Sequence, residues 1–160
     1  MTLSIITINY NNALGLEKTL KSVLNQTNTE FEHVIVDGAS TDNSVEIIQQ
    51  YEKDATACGI NVVWVSEKDK GIYNAMNKGI KMASGEYIQI LNSGDCLAAD
   101  TVVADMFRAL KMNVYPEILY GNMTKVDASG KVIGKSKETP YSFHNYFVST
   151  AKICNKVISN

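Results

Sequence analysis

Four short apolar runs recur along the chain, at Leu3 to Ile8, Phe31 to Val36, Asn61 to Val65 and Glu86 to Leu91, and a stretch of helical character separates each from the next. Runs of this length, rich in Ile and Val, read as strands buried on both faces. Between the first two, Leu16, Leu20, Val23 and Leu24 fall on one side of a helix near 16–24. A second helix is expected from Ser44 to about Thr56, capped by Asp42 or Asn43. A third runs from about Ile72 to Ala83, with Gly85 just past its end. Strands alternating with helices over short loops imply an α/β fold, a mostly parallel sheet flanked by helices with right-handed crossovers. After a fourth helix near Asp100 to Met112 comes a short strand, Ile118-Leu119-Tyr120. Met123 to Ile133 then reads as a C-terminal hairpin turning at Asp127-Ala128-Ser129-Gly130. The chain accordingly divides into a domain at 1–135 and an irregular tail at 136–160.

Two of the runs end in an acid, Asp37 after His33-Val34-Ile35-Val36 and Asp95 after Tyr87-Ile88-Gln89-Ile90-Leu91. Ligands of open α/β sheets bind outside the carboxyl ends of the strands, so both acids can face one bound molecule. A metal-held nucleotide suits them. Mg2+ takes oxygen ligands, one or two carboxylates together with substrate phosphates, and Asp95 in the loop Asn92-Ser93-Gly94-Asp95 can supply one. Asp37 can accept hydrogen bonds from a base or ribose, while Tyr10 can stack on a base with Thr7 near the same ring. Asp69 and Gly71 can open a helix whose free N–H groups suit an anion, with Asn74 and Asn77 on one side of it. Taken singly, each of these residues reads equally as a turn former, a helix cap or a strand end.

At 160 residues the chain fits one domain, of a size that buries roughly 68–70% of its unfolded surface. With 20% charged residues and a net charge of −2, it lacks the electrostatic footprint of a nucleic-acid binder. Arg108 is the only arginine, so phosphate would be held by metal or backbone rather than by a guanidinium fork. Cys58, Cys96 and Cys154 lack metal-ligand spacing, and we expect buried thiols in a reducing, cytoplasmic compartment. His33 and His144 have no nucleophile beside them, which leaves a hydrolase triad without support. A dehydrogenase would show G-x-G-x-x-G after the first strand, and a phospho-acceptor receiver an acid pair there; Asn9-Tyr10-Asn11 is neither. No stretch reaches the roughly 20 apolar residues of a membrane span.

In this order, four segments together resemble the family 2 glycosyltransferases, inverting enzymes of the GT-A fold that use nucleotide-diphosphate sugars. The segments are Ser4 to Asn11, Val36 to Ser44, Asp69 to Gly79, and Ala83 to Tyr87 continuing through Asp95. The resemblance implies that 1–135 is a nucleotide-sugar-binding domain and that 136–160 begins a truncated acceptor-binding region. It implies transfer of a sugar to a glycan or lipid-linked acceptor with Mg2+ or Mn2+, in cell-surface polysaccharide synthesis. It leaves room for peripheral membrane association and for homo-oligomers. Thr7, Asn9, Tyr10 and Asp37 would line the nucleoside pocket. Asp69, Gly71, Asn74, Asn92 and Ser93 would complete the donor site, and Asp95 would hold the metal. Two positions depart from the pattern: Gly38 stands where a second acid is common, and Asn92 and Gly94 replace acids of the metal motif. The family's general base falls later than any motif found here, so the rival expectation is a non-catalytic or degenerate nucleotide-sugar-binding domain.

Overall fold

The computed structural model describes residues 2–112, 117–119, 121, 123–127 and 131–135, with the backbone of 150–152. The elements run β1 (Leu3–Asn9), α1 (Ala13–Leu24), β2 (Phe31–Asp37), α2 (Ser44–Ala57), β3 (Asn61–Ser66), α3 (Ile72–Met82), β4 (Tyr87–Ile90) and α4 (Val102–Met112). Four short strands follow: β5 (Ile118–Leu119), β6 (Thr124–Val126), β7 (Val132–Lys135) and β8 (Thr150–Lys152). The alternation expected from the apolar runs is present, with strand and helix ends shifted by a few residues.

The main sheet has the order β3-β2-β1-β4-β8-β5, and β1 to β4 are mutually parallel. Every residue of β1 and β2 is buried, as strands covered on both faces require. On one face, Leu3, Ile5, Phe31 and Ile35 meet Leu16, Leu20 and Val23 of α1, Ile48 and Tyr51 of α2, and Val103, Phe107 and Leu110 of α4. On the other, Ile8 and Val36 pack against Ala75 of α3. Gly79 brings α3 down onto the sheet, since a Cβ there would collide with the Ile6 side chain.

β8 pairs antiparallel with both β4 and β5, and it lies within the stretch expected to be an irregular tail. A three-residue strand has too few side chains to show a period of two. The hairpin is present as β6 and β7, closed by an Asp127 N to Lys131 O bond of 2.9 Å. Its turn residues 128–130, together with Tyr120, His144 and Cys154, lie outside the described residues.

Three details correct or refine the reading of the sequence. Cys58 and Cys96 are exposed thiols rather than buried ones, because Cys58 caps α2 at a surface turn and Cys96 sits in the loop before α4. Gly85 is no helix terminator: Ala83 ends α3 in an extended conformation, and Gly85 serves a close approach to β1. A Cβ on Gly85 would lie 2.7 Å from Ser4 N and 2.8 Å from the Leu3 carbonyl carbon. Asp42 organises the start of α2 although Asn43 is its N-cap residue. Its Oδ1 accepts from Ser44 N at 3.1 Å and Ser44 Oγ at 2.5 Å, while Oδ2 accepts from Ala13 N, the first residue of α1, at 2.9 Å.

Candidate functional site

The strand order turns back at β1, with β2 and β3 on one side and β4 on the other. The carboxyl ends of the strands at such a turning point are the place where open α/β sheets bind ligands. A cleft of about 720 Å3 lies there. Its walls come from all four strand ends: Asn9, Tyr10 and Asn12 after β1, Gly38, Ala39 and Thr41 after β2, Lys68, Asp69, Gly71 and Ile72 after β3, and Asn92 and Ser93 after β4.

Register explains why the first two loops are held together. Asn9, Asp37 and Ser66 are the last residues of three adjacent strands and stand side by side. Asp37 is fully buried and accepts from Asn9 Nδ2 (2.9 Å), Ser40 N (2.9 Å), Ser40 Oγ (2.5 Å) and Ser66 Oγ (2.6 Å). Burial alone would raise its carboxyl; the bonds from Ser40, Ser66 and Asn9 outweigh burial and hold it below the ordinary value. Asn11, at a φ of 49°, accepts from Thr41 N through its side chain at 2.8 Å and donates its own N–H to Ser40 Oγ at 2.8 Å. Ala39, at a φ of 60°, completes the turn.

The loop after β4 is a tight turn, with Asp95 N bonded to Asn92 O at 2.9 Å. Its third residue, Gly94, has a φ of 101°, a conformation that favours glycine and accounts for the missing acid there. Thr19 of α1 supports it, accepting from Gly94 N at 2.9 Å and lying 2.7 Å from Asp95 O. Asn12 Nδ2 reaches Ser93 O and Ser93 Oγ, each at 3.2 Å, while Asn12 Oδ1 accepts from Gly15 N and caps α1. One side chain thus joins a helix cap to the far wall of the cleft.

The expected site residues separate into four groups. Asn9, Tyr10, Asp69, Gly71, Asn92 and Ser93 line the cleft, and Tyr10 is two-thirds exposed there. Asp37 and Thr7 do not line it. Thr7 is buried on the face beneath α2, 2.9 Å from His33 Nε2, and Asp37 is sealed under Ser40 and Ser66. Asn74 turns back to accept from Lys70 N at 3.2 Å, closing the start of α3. Asp95 is exposed just beyond Ser93, its carboxyl nevertheless raised by the partial burial of its loop.

Residues missed in the sequence are Asn12, Thr41, Lys68 and Ile72, which line the cleft, and Ser66, which helps to seat Asp37. Ser66 could have been found by aligning the three strand ends. Asn12, Thr41 and Lys68 sit in loops whose shape no period encodes, and Ile72 opens α3.

A divalent cation fits one part of this surface. Among the described residues no cluster of three or more His, Cys, Asp or Glu could hold a metal unaided. Asp95 and the buried Asn92 Oδ1, which has no hydrogen-bond partner, offer a carboxylate and an amide oxygen at one turn. That set suits a hard cation whose remaining ligands are phosphate and water.

The Glycosyl transferase family 2 profile matches residues 4–157. The chain belongs to glycosyltransferase family 2. Similar relatives include a putative teichuronic acid biosynthesis glycosyltransferase of Bacillus subtilis, 41% identical over 92 residues, covering 58% of this chain and 35% of that protein. A poly-beta-1,6-N-acetyl-D-glucosamine synthase of Staphylococcus epidermidis is 32% identical over 138 residues, covering 83% and 31%. Staphylococcus aureus TarS, solved in complex with UDP-GlcNAc, is 26% identical with a TM-score of 0.61, covering 70% of this chain and 32% of that one. The fold is also that of a Pyrobaculum calidifontis mannosyltransferase solved with GDP-Man and Mn2+, at 24% identity and a TM-score of 0.63, over 78% and 35%. Like these, family 2 chains of the GT-A fold have a mostly parallel sheet with flanking helices. The chain spans about a third of the length of these relatives. Among its described residues, no helix is long and apolar enough to cross a membrane.

Proposed function

We propose that this chain binds a nucleotide-diphosphate sugar in the cleft and serves its transfer to a glycan or lipid-linked acceptor in cell-surface polysaccharide synthesis. The carrying observation is the pair of unpartnered buried oxygens, Asn9 Oδ1 and Asn92 Oδ1, of two residues lining a cleft at the switch point of the sheet. Buried acceptors without donors cost about 1–3 kcal/mol each, a cost removed where a ligand hydroxyl donates to Asn9 and a cation takes Asn92. Tyr10 offers an exposed ring to a planar base at the same mouth. Membership of family 2 and similarity to TarS solved with UDP-GlcNAc support the same ligand class.

Asp95, with Asn92 beside it, would hold Mg2+ or Mn2+. Such a cation supplies charge stabilisation to a departing diphosphate. Around it, Asn12 and Ser93 fix the wall against which the diphosphate lies, and Asp37 fixes the nucleoside loop through Ser40. In the transfer the acceptor oxygen bonds to the anomeric carbon, the bond from that carbon to the diphosphate oxygen breaks, and the hydroxyl proton passes to a base. We assign no residue of this chain as that base.

Titration calorimetry with UDP-GlcNAc in Mn2+ tests the reading. Saturable binding that Asp95→Ala weakens by about 10-fold or more supports it, since a charge-assisted contact contributes about 1.5–3 kcal/mol. Binding without transfer to any glycan acceptor would identify a binding domain. Absence of binding would overturn the reading.

A further inference from the structure

From Leu91 to Thr101, between the end of β4 and the start of α4, the chain has no regular secondary structure, and Asp95 lies within this stretch. The backbone groups of such a segment need partners from elsewhere. One helix supplies them. Thr19, Ser22 and Gln26 follow one another at helical spacing on α1 and just past its end, with the N-cap Asn12 at the near end of the same stripe. Asn12 Nδ2 donates to Ser93 O at 3.2 Å, and the Ser22 hydroxyl accepts from Leu97 N at 3.2 Å. Gln26 donates to Ala99 O at 2.9 Å and accepts from Val103 N at 3.0 Å.

Thr19 is the rung at the turn itself. Of the residues that α1 buries, Leu16, Thr19, Leu20 and Val23, it alone is polar. Threonine is a poor choice for a helix interior unless its hydroxyl is needed. That oxygen accepts from Gly94 N at 2.9 Å, and its proton has Asp95 O at 2.7 Å, nearer than Gly15 O at 3.1 Å or Asn92 O at 3.4 Å. One proton and two lone pairs make both turn bonds at once. Asp95 N is already bonded to Asn92 O at 2.9 Å. The peptide units on both sides of Asp95 are therefore fixed, one by the turn's own bond and the other by Thr19. The direction in which the Asp95 carboxylate leaves the backbone is fixed with them.

We propose that Thr19 is a positioning residue for sugar transfer: it touches neither cation nor donor, but it sets where Asp95 presents its carboxylate. This rests on the assignment of Asp95 to the cation and adds the residue that makes that ligand rigid. A carboxylate held in one place binds a cation without first losing the freedom of its loop. Gln26 supplies the internal comparison. It is 4% exposed and satisfies the same kinds of backbone group, but at the far end of the segment, away from the turn.

The test is calorimetric titration of the intact protein with UDP, once in Mn2+ and once in EDTA, with thermal melts of every variant. Thr19→Val keeps the shape of the side chain and removes the hydroxyl. It should weaken Mn2+-dependent UDP binding by about 10-fold or more while leaving binding in EDTA unchanged. Thr19→Ser restores the hydroxyl and should restore the Mn2+-dependent binding. Gln26→Met should lower the melting temperature as Thr19→Val does, with its Mn2+ dependence intact. Equal losses in Mn2+ and EDTA for Thr19→Val, or the same loss of Mn2+ dependence in Gln26→Met, would reduce Thr19 to a structural part and overturn the proposal. Hydrogen exchange of the native protein decides the matter even if Thr19→Val does not fold: the Gly94 amide should be protected, and exchange at the rate of an open loop overturns the proposal. A native protein that binds no UDP in either buffer overturns the donor-binding role and this proposal together. UDP binding that is the same in Mn2+ and EDTA leaves the donor role standing and overturns the cation assignment with the proposal.

Discussion

Asn9 and Asp37 close neighbouring parallel strands at the same level, and the Asn9 amide donates to Asp37 Oδ1 at 2.9 Å. The carboxylate is thereby one node of a network with Ser40 and Ser66, buried beneath the cleft rather than exposed in it. Asp37→Ala strips acceptors from three side-chain donors and should cost about 2–4 kcal/mol in urea unfolding at pH 7. Nucleotide affinity should fall only through the disordered loop. A variant as stable as the native protein that no longer binds nucleotide would instead place Asp37 against the ligand.

The imidazole of His33 is completely buried, between Tyr51 OH at 2.6 Å and Thr7 Oγ1 at 2.9 Å, and burial pushes it down to about 3. Its folded value lies below its unfolded one. The unfolded chain therefore takes up a proton near pH 6.5 that the folded chain refuses, so stability is full above that pH and lost on acidification. Between pH 6.5 and 5 the loss should be about 2 kcal/mol, at about 1.4 kcal/mol per pH unit. Asp37 and Glu32, both held low by hydrogen bonds that outweigh their burial, add their own losses only at more acid pH. Urea midpoints at pH 7, 6 and 5 measure the slope; a flat series contradicts it.

Two glycines mark where backbone meets backbone or sheet. Gly85→Ala forces a methyl against Ser4 N and the Leu3 carbonyl, atoms that cannot swing aside, and should destabilise by about 3 kcal/mol or more. Gly79→Ala meets the Ile6 side chain, which can shift, and gains about 1 kcal/mol of helix propensity. It should cost less. Thermal melts of the pair in the reverse order would contradict this account of the α3 contact.

At Gly94, replacement by Ala places a side chain at a φ of 101°. The strain should be about 1–2 kcal/mol and should displace Asp95, whose N–H closes the turn. Mn2+-dependent UDP binding should weaken several-fold while metal-free binding stays the same. Equal changes in both would separate this turn from the cation.

How much was legible in the sequence follows from where each residue sits. Strands such as Leu3–Asn9 and helices such as Ser44–Ala57 carry their period in their own side chains, so their order and type could be read directly. The cleft residues Asn9, Tyr10, Asp69 and Asn92 were legible as strand-end loops of an α/β sheet. Thr7 and Asp37 were placed in the right neighbourhood, and what could not be read was direction. Thr7 points to the α2 face, and Asp37 is covered by a serine three residues later. The vacancy at Gly38 could be seen in the sequence, but not the carboxylate beside it, because Asp69 arrives through a contact between distant loops.

Asp42 touches nothing in the cleft, yet its two oxygens hold the first residues of α1 and α2 together. In a saturation mutagenesis screen scored on transfer activity, this half-buried loop position should tolerate few replacements and resemble a ligand contact. Asn at 42 should retain the most function, since it keeps one acceptor for either helix. A tolerance map of this protein would then outline its scaffold as sharply as its chemistry, and intolerance alone would not locate the sugar nucleotide.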